Sequence, residues 1–132
     1  MKIPFDSKYG LIHLTAKISH RKGNGKIKDI VLNLALDTGA TGTVISRKRL
    51  VAIGYDLNDF EDEMYITTGS GLISVPKIRV EKLSVLGKEK SDFLVNAHDL
   101  PPTASVDGVL GLDFLRGNIL TIDFVQSEIE LN

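Results

Sequence analysis

The chain has 132 residues, of which 42% are hydrophobic and 25% are charged, and its formal net charge is −1. This length predicts one domain, residues 1–132, and the balanced charge argues against a protein that binds nucleic acid through a basic surface. The absence of cysteine excludes disulfides, thiol catalysis and cysteine-ligated zinc.

The first ten residues, MKIPFDSKYG, contain no apolar run and no cleavage pattern of a secretory signal. No stretch of the chain approaches the roughly 18 apolar residues that a membrane-spanning helix requires. We therefore expect a cytoplasmic protein that has no membrane partner.

Two strands joined by a polar loop are predicted next. Apolar and polar residues alternate over residues 12–18, which is typical of a strand with one solvent-exposed face. The loop at residues 20–26 contains two glycines and Asn24, which suits a hairpin connection. A second alternating strand follows at residues 27–36, so the basic loop residues are predicted to be solvated charges. A phosphate site would require the loop to open a helix.

The second strand ends in Asp37, which is followed by Thr38, Gly39 and Ala40 and then by another apolar stretch at residues 44–45. An aspartate rarely lies at the end of a buried strand without a partner or a function. Gly39 permits a tight turn or the close approach of two backbones, and Thr38 adds a hydroxyl group. Asp37 is therefore a candidate catalytic residue. The alternatives are an aspartate that caps its own turn and, for Ala40, a small residue that merely fits the turn.

A short helix and an acidic connection are predicted after this turn. Ser46 suits the N-cap of a helix at residues 47–53, and Gly54 suits its C-terminus. The acidic segment at residues 55–63 lacks the spacing and the glycine of an EF-hand calcium loop. It is interpreted as a solvated connection.

A hairpin is predicted at residues 64–75, with Thr68, Gly69, Ser70 and Gly71 at its tip. Glycines at a tip allow backbone amides to approach a ligand. Ser70 is interpreted as a turn residue rather than as a nucleophile. A plain hairpin turn is the alternative to a binding role for this tip.

The rest of the chain is predicted to form short strands. They lie at residues 78–85, around residues 93–95, and at 109–111, 120–124 and 129–131, with a bulge or bend between Val80 and Leu83. A loop with two prolines spans residues 96–105, and Asp113 is predicted to cap a helical turn at 114–116. Many short strands with little helix predict an all-β closed barrel with one or two short helices.

Two stretches together resemble the aspartic protease family. The first is LALDTGA at residues 34–40, and the second is DGVLGLDFL at residues 107–115, whose apolar-apolar-Gly segment resembles the one before a short helix in that fold. Their order, their separation of about 70 residues and the size of the chain resemble the retropepsin-like branch. In that branch one chain supplies half of the enzyme. The resemblance implies a closed acid protease barrel that forms half of a twofold dimer.

The resemblance also implies roles for the turn and the hairpin. Asp37 would be the catalytic aspartate, paired with Asp37 of a second copy, and neither a metal nor another cofactor would be needed. Of two carboxylates at one water, one takes a proton and the other donates to the scissile carbonyl. The chain contains D-T-G once, so a homodimer is the symmetric solution. Thr38 would bond across the twofold axis and Gly39 would let the two backbones meet. An extended peptide or protein substrate would lie between Gly39 and a flap at residues 68–71.

Some features depart from the retroviral pattern. The chain is longer, Gly42 stands where those enzymes often carry a polar residue, and the hairpin tip has fewer glycines. These features resemble cellular and bacterial retropepsin-like proteins. A second hypothesis is therefore a catalytically silent dimerisation or peptide-binding module of the same fold. A lipid- or ligand-binding barrel would explain the strands but not D-T-G-A. Three histidines, His13, His20 and His98, show no metal-ligand spacing.

Overall fold

The structure is a computed structural model that describes residues 1–67 and 69–132. Thr68, which the sequence places at the hairpin tip, lies outside the described residues. Backbone hydrogen bonding in the described part defines ten strands, two short helices and a 3₁₀ turn at Pro102–Ala104. The strands are β1 (Ile3–Pro4), β2 (His13–Arg21), β3 (Ile27–Leu36), β4 (Val44–Ile45), β5 (Asp62–Thr68), β6 (Gly71–Val85), β7 (Lys88–Ala97), β8 (Gly108–Leu110), β9 (Leu120–Asp123) and β10 (Glu128–Leu131), and the helices are α1 (Arg47–Ile53) and α2 (Leu112–Leu115).

Six strands form a closed barrel. Their order is β2-β3-β8-β4-β7-β6, and β6 pairs back with β2, with Ala16 opposite Val85 and Ile18 opposite Leu83. Closure leaves the six strands without a free edge. β5 pairs with β6 outside this ring, and a separate sheet of order β1-β10-β9 joins the two ends of the chain. The predicted all-β closed barrel with short helices is confirmed.

The barrel core comes from the alternating residues of the strands. In β2, Leu14, Ala16 and Ile18 are buried while the residues between them are exposed, as the period of two requires. Helix α1 adds Leu50 and Ile53. Other side chains with almost no exposed surface are Leu32, Leu34, Ile45, Val80, Leu83, Val95, Leu110, Phe114 and Ile129.

Strand β8 lies between β3 and β4, the two strands that flank the Asp37 turn. It runs parallel to β3 and antiparallel to β4. The chain from residue 37 to residue 43 must therefore cross the end of β8. A Cβ atom at Gly108 would lie 2.0 Å from the carbonyl oxygen of Val44, and one at Gly111 would lie 2.6 Å from the carbonyl carbon of Gly42. Glycine at these positions allows the backbones to approach closely.

The long strand β6 differs from its predicted form. The sequence separates a hairpin ending at residue 75 from a strand at residues 78–85, but β6 is continuous through Pro76. The ladder to β7 begins at Lys77, so no hydrogen bond of that ladder requires the N–H group that Pro76 lacks. At the predicted bend, the β6–β7 ladder omits Glu81 and Asp92, and Asp92 has a φ of 52°.

Two predicted helix caps are also corrected. Ser46 precedes α1 as expected, but its side chain does not cap the helix; the Arg47 N–H donates instead to the carboxylate of Asp99 (2.9 Å). Helix α2 begins at Leu112 with Gly111 as its N-cap, so the predicted N-cap role of Asp113 is wrong. In the part of the chain that the structure describes, no helix is long and apolar enough to cross a membrane.

Candidate active site

The Asp37 turn is held by backbone hydrogen bonds at its base. The Asp37 N–H donates to the carbonyl of Leu110 (3.0 Å), and the Ala40 N–H donates to the carbonyl of Asp37 (3.1 Å). The side chain is fixed by its own turn, because the Gly39 N–H donates to Asp37 Oδ1 (3.0 Å). A Cβ atom at Gly39 would lie 3.2 Å from the same oxygen, which is tighter than most such contacts.

The carboxylate of Asp37 is only partly engaged by the chain. The side chain is half-buried, and among the described residues no hydrogen bond is made to Oδ2. Thr38 and Gly39 are exposed at the apex of the turn, and Ala40 is half-buried. The alternative role of Asp37, in which the side chain only caps its own turn, therefore explains the hydrogen bond of Oδ1 and leaves Oδ2 without a role. The geometry leaves Oδ2 available to a water molecule or to another carboxyl group.

Helix α2 is fastened to the turn by its first N–H groups. The Leu112 N–H donates to the carbonyl of Ala40 (2.9 Å), and the Asp113 N–H donates to the carbonyl of Thr41 (3.2 Å). The first N–H groups of a helix have no partner within the helix, so these bonds satisfy both structures at once. The second sequence stretch, residues 107–115, thus supports the first.

A buried Thr43–Asp113 pair completes this support. Thr43 is fully buried; its hydroxyl donates to Asp113 Oδ1 (2.7 Å) and accepts from the Gly111 N–H (3.1 Å). Its backbone N–H donates to Asp113 Oδ2 (2.9 Å). The Asp113 carboxylate also accepts from the Phe114 N–H (2.9 Å). Both oxygens of Asp113 are therefore occupied in holding the turn. The sequence did not predict this role of Asp113, although its polar side chain within an otherwise apolar segment is a signal for it.

The hairpin formed by β5 and β6 rises beside the turn. Its register pairs Met64 with Val75 and Thr67 with Leu72, and Gly69 and Ser70 lie in the turn at the tip. Gly71 has a φ of 112°, a conformation that favours glycine. On the exposed hairpin, the Tyr65 hydroxyl donates to Glu63 Oε1 (2.9 Å), and this bond to a carboxylate raises the pKa of Tyr65.

A cleft of about 460 Å³ separates the turn from the hairpin. The turn contributes one wall, and the hairpin contributes another. The lining residues are Gly39, Ala40, Thr41, Gly42, Val44, Met64, Ile66, Val75, Lys77, Leu94, Asn96, His98 and Asp113. Gly39 and Ala40 of the turn and the base of the hairpin therefore face one cleft, whereas Asp37, Thr38 and the described tip residues 69–71 are not among its lining residues. Lys77 on β6, Asn96 on β7 and His98 directly after β7 also line the cleft, and the sequence did not predict a place for them there.

The three histidines lie apart. His13 stacks on Tyr9 with ring centroids 4.4 Å apart, whereas His20 packs against Tyr55, and His98 lines the cleft. Within residues 1–67 and 69–132, no group of three or more His, Cys, Asp or Glu side chains is placed to hold a metal ion.

Comparison with known proteins places the chain in a family. A family model described as aspartyl protease matches residues 23–114, which is well over half of the chain. A search of the curated proteins found no match. Among solved structures, the chain is similar to a retropepsin-like aspartic protease from Rickettsia conorii, with a TM-score of 0.65 and 19% sequence identity. That similarity covers 99% of this chain and 88% of the other. The chain belongs to the aspartyl protease family and has a retropepsin-like fold.

Proposed function

We propose that the chain is an aspartic endopeptidase that acts as a homodimer, with the attacking water held between Asp37 of one protomer and Asp37 of its partner. Membership of the aspartyl protease family supports a peptidase activity in general. The observation that carries the specific proposal is the Asp37 turn. It fixes one carboxylate oxygen with the Gly39 N–H and, among the described residues, leaves the other without a hydrogen bond, beside the exposed Thr38 and Gly39.

The need for a second copy follows from the number of available carboxylates. This chemistry requires two carboxyl groups that share one proton, and the chain contains a single D-T-G. Asp113 is close in the fold, but three hydrogen bonds hold its oxygens to Thr43 and Phe114. A twofold axis at the apex of the turn would instead bring two copies of Asp37 together. Thr38, exposed at the same apex, would then bond to its counterpart and hold the two turns in register.

The reaction needs no cofactor in this proposal. The ionised carboxylate takes a proton from water as the water oxygen bonds to the carbonyl carbon, and the protonated carboxyl donates to the carbonyl oxygen. Breakdown of the tetrahedral intermediate breaks the C–N bond and transfers a proton to the leaving amine. The peptide or protein substrate would lie in the cleft as an extended strand. Main-chain hydrogen bonds to Gly39 and to the flap, residues 68–71, would hold it.

Residues 1–132 are proposed to form a single domain. One connected core supports this, since it includes Leu14 near the start of the barrel as well as Ile129 and Leu131 from the terminal sheet. A cytoplasmic location stays a prediction from the sequence. Cell fractionation with an antibody against the native protein tests it.

The experiment that tests the proposal measures cleavage of a mixed peptide library between about pH 4 and pH 8 by the wild type and by Asp37→Asn. The variant keeps the shape of the turn but cannot share a proton. We expect cleavage by the wild type, loss of cleavage in Asp37→Asn, and full activity in the control Asp29→Asn, which changes an exposed aspartate on β3, the strand that leads to Asp37. A wild-type protein that is dimeric by light scattering and cleaves nothing would favour the silent dimerisation or peptide-binding module.

A further inference from the structure

We propose that the cleft beside the Asp37 turn binds an acidic side chain of the substrate, glutamate in particular, and that Lys77 determines this preference. The inference rests on the proposed peptidase function and concerns the substrate class. It arises from the charge and the shape of the cleft lining.

Lys77 places a cation in a cleft that otherwise has mainly apolar walls. It lies on β6, is half-buried and lines the cleft. In the described part of the chain, no carboxylate lies within ion-pair distance of its ammonium group. The ammonium group is therefore open to a ligand, and a carboxylate that enters the cleft can accept a charge-assisted hydrogen bond from it.

The neighbouring strands do not neutralise Lys77. Asp62 is opposite it on β5, but Asp62 is exposed, its Oδ1 accepts the Glu63 N–H (2.8 Å), and it does not line the cleft. Asn96 is opposite it on β7 and is neutral. The nearest partners of Lys77 in the sheet therefore leave its charge available to a ligand.

The cleft also contains one carboxylate, that of Asp113. Its oxygens accept hydrogen bonds from Thr43 and Phe114, which stabilise the carboxylate and engage it with the chain. His98 is half-buried in the same cleft and carries no negative charge in either protonation state. Lys77 is therefore the lysine among the described lining residues that can pair with an acidic side chain of a substrate.

Gly42 and Asn96 give the cleft its polar floor. A Cβ atom at Gly42 would lie 2.6 Å from Asn96 Nδ2, so the amide occupies the space that glycine leaves. Asn96 Nδ2 donates to the carbonyl of Thr43 (3.4 Å), and its buried Oδ1 has no hydrogen-bond partner. Asn96 is thereby fixed beside Lys77 as a neutral neighbour.

The apolar walls favour glutamate over aspartate. Val44, Ile66 and Leu94 line the cleft from three different strands. The volume of about 460 Å³ accommodates a side chain with a methylene stem, and such a stem buries apolar surface before its carboxylate reaches Lys77. Aspartate has one methylene fewer, so it gains less from the walls and extends less far toward the ammonium group.

The test compares peptide pairs that are identical except for glutamate or glutamine at each position near the cleaved bond. We expect wild-type kcat/KM to favour glutamate by about 10- to 100-fold at one position, the range for a hydrogen bond to a charged group. Lys77→Met should abolish the preference, Lys77→Arg should retain most of it, and Lys77→Glu should shift it toward lysine. Lys82→Met is the matched control, because Lys82 lies on the same strand but pairs with Glu89 (3.5 Å) outside the cleft.

Each outcome separates this inference from the proposed function. Asp37-dependent cleavage with equal rates for both members of every pair overturns the pocket and leaves the peptidase. A glutamate preference that persists in a folded Lys77→Met protein overturns the role of Lys77.

Binding of the same pairs to Asp37→Asn is measured by fluorescence anisotropy. A glutamate preference in binding without wild-type cleavage supports the pocket and overturns the peptidase, and no preference in either assay overturns the pocket.

Discussion

The two walls of the cleft are built in different ways. The Asp37 turn is fixed from below by Thr43, which is 0% exposed, and by backbone contacts so close that Gly108 and Gly111 have no room for a side chain. The hairpin opposite is held by its two-stranded ladder, and near its tip Leu72 is 70% exposed. A rigid support holds a catalytic carboxylate in the geometry that its reaction requires. A segment that must open to admit a peptide needs fewer contacts, because each contact would have to break.

The strongest test of this contrast is Gly108→Ala. The new methyl group would lie 2.0 Å from the carbonyl oxygen of Val44, which is on β4 directly after the turn, so β8 or β4 must move. We expect a loss of at least about 3 kcal/mol in the free energy of unfolding, or failure to fold. Urea denaturation measures it. A loss below about 1 kcal/mol would contradict a rigid turn.

The second test is Thr43→Val, which keeps the shape of the side chain but removes its hydroxyl. The Gly111 N–H and Asp113 Oδ1 then lose a buried partner, and we expect a destabilisation of about 2–3 kcal/mol. A double-mutant cycle with Asp113→Asn should show coupling of at least about 0.5 kcal/mol. Additive effects would mean that the two residues do not act as one support.

The third test is Tyr55→Phe, which acts on β6, the strand that the barrel and the hairpin share. The Tyr55 hydroxyl donates to the carbonyl of Ser19 (2.7 Å) and accepts from the Glu81 N–H (2.8 Å), where the β6–β7 ladder is interrupted. Tyr55→Phe leaves both groups without this partner, and we expect a destabilisation of about 1–2 kcal/mol. Thermal unfolding near pH 7 measures it against wild type.

The same residue makes stability depend on pH in the alkaline range. Burial raises the pKa of Tyr55 to about 12. The folded state therefore holds this proton more tightly than the unfolded chain, where the pKa is about 10. The stabilisation is complete below about pH 10 and is lost as the pH rises toward 12. Tyr55→Phe should show a smaller loss of stability over this range, and an unchanged loss would assign it to other groups.

The smallest expected effect on stability is that of Gly69→Ala at the hairpin tip. Apart from its neighbours in the chain, a Cβ atom there meets no atom of the described residues within 4 Å, so the free energy of unfolding should change by less than about 0.5 kcal/mol. Expressed as free energies, the change in kcat/KM should exceed the change in unfolding, because the tip is proposed to contact the substrate. A destabilisation as large as that of Gly108→Ala would remove the contrast between the two walls.

Local patterns in the sequence predicted most strands, helix α1, the Asp37 turn and the hairpin. Alternation identified the strands at residues 12–18 and 27–36, and the two motifs identified the family. These features depend on neighbours in the chain, so a single sequence suffices to find them.

Contacts between distant residues escaped the sequence analysis. Asp113 was assigned to its own helix because a local cap is the common role of aspartate, but its main partner is Thr43, 70 residues earlier. Asp99 likewise caps α1 from 52 residues away. The position of Lys77 in the cleft required the pairing of β5, β6 and β7. Periodicity gives the face of a strand, and it does not give the strand's neighbours.

The central claim is that each active site takes one Asp37 from each of two protomers. The most direct measurement adds Asp37→Asn protein to a fixed amount of wild type, allows the protomers to exchange, and follows peptide cleavage. If mixed dimers are inactive, activity falls in proportion to the wild-type fraction, to about one half at equal amounts and about one tenth at a ninefold excess. Addition of Asp29→Asn instead should not lower it. Activity that Asp37→Asn leaves unchanged, although mixed dimers form, would show that one chain suffices and would contradict the account.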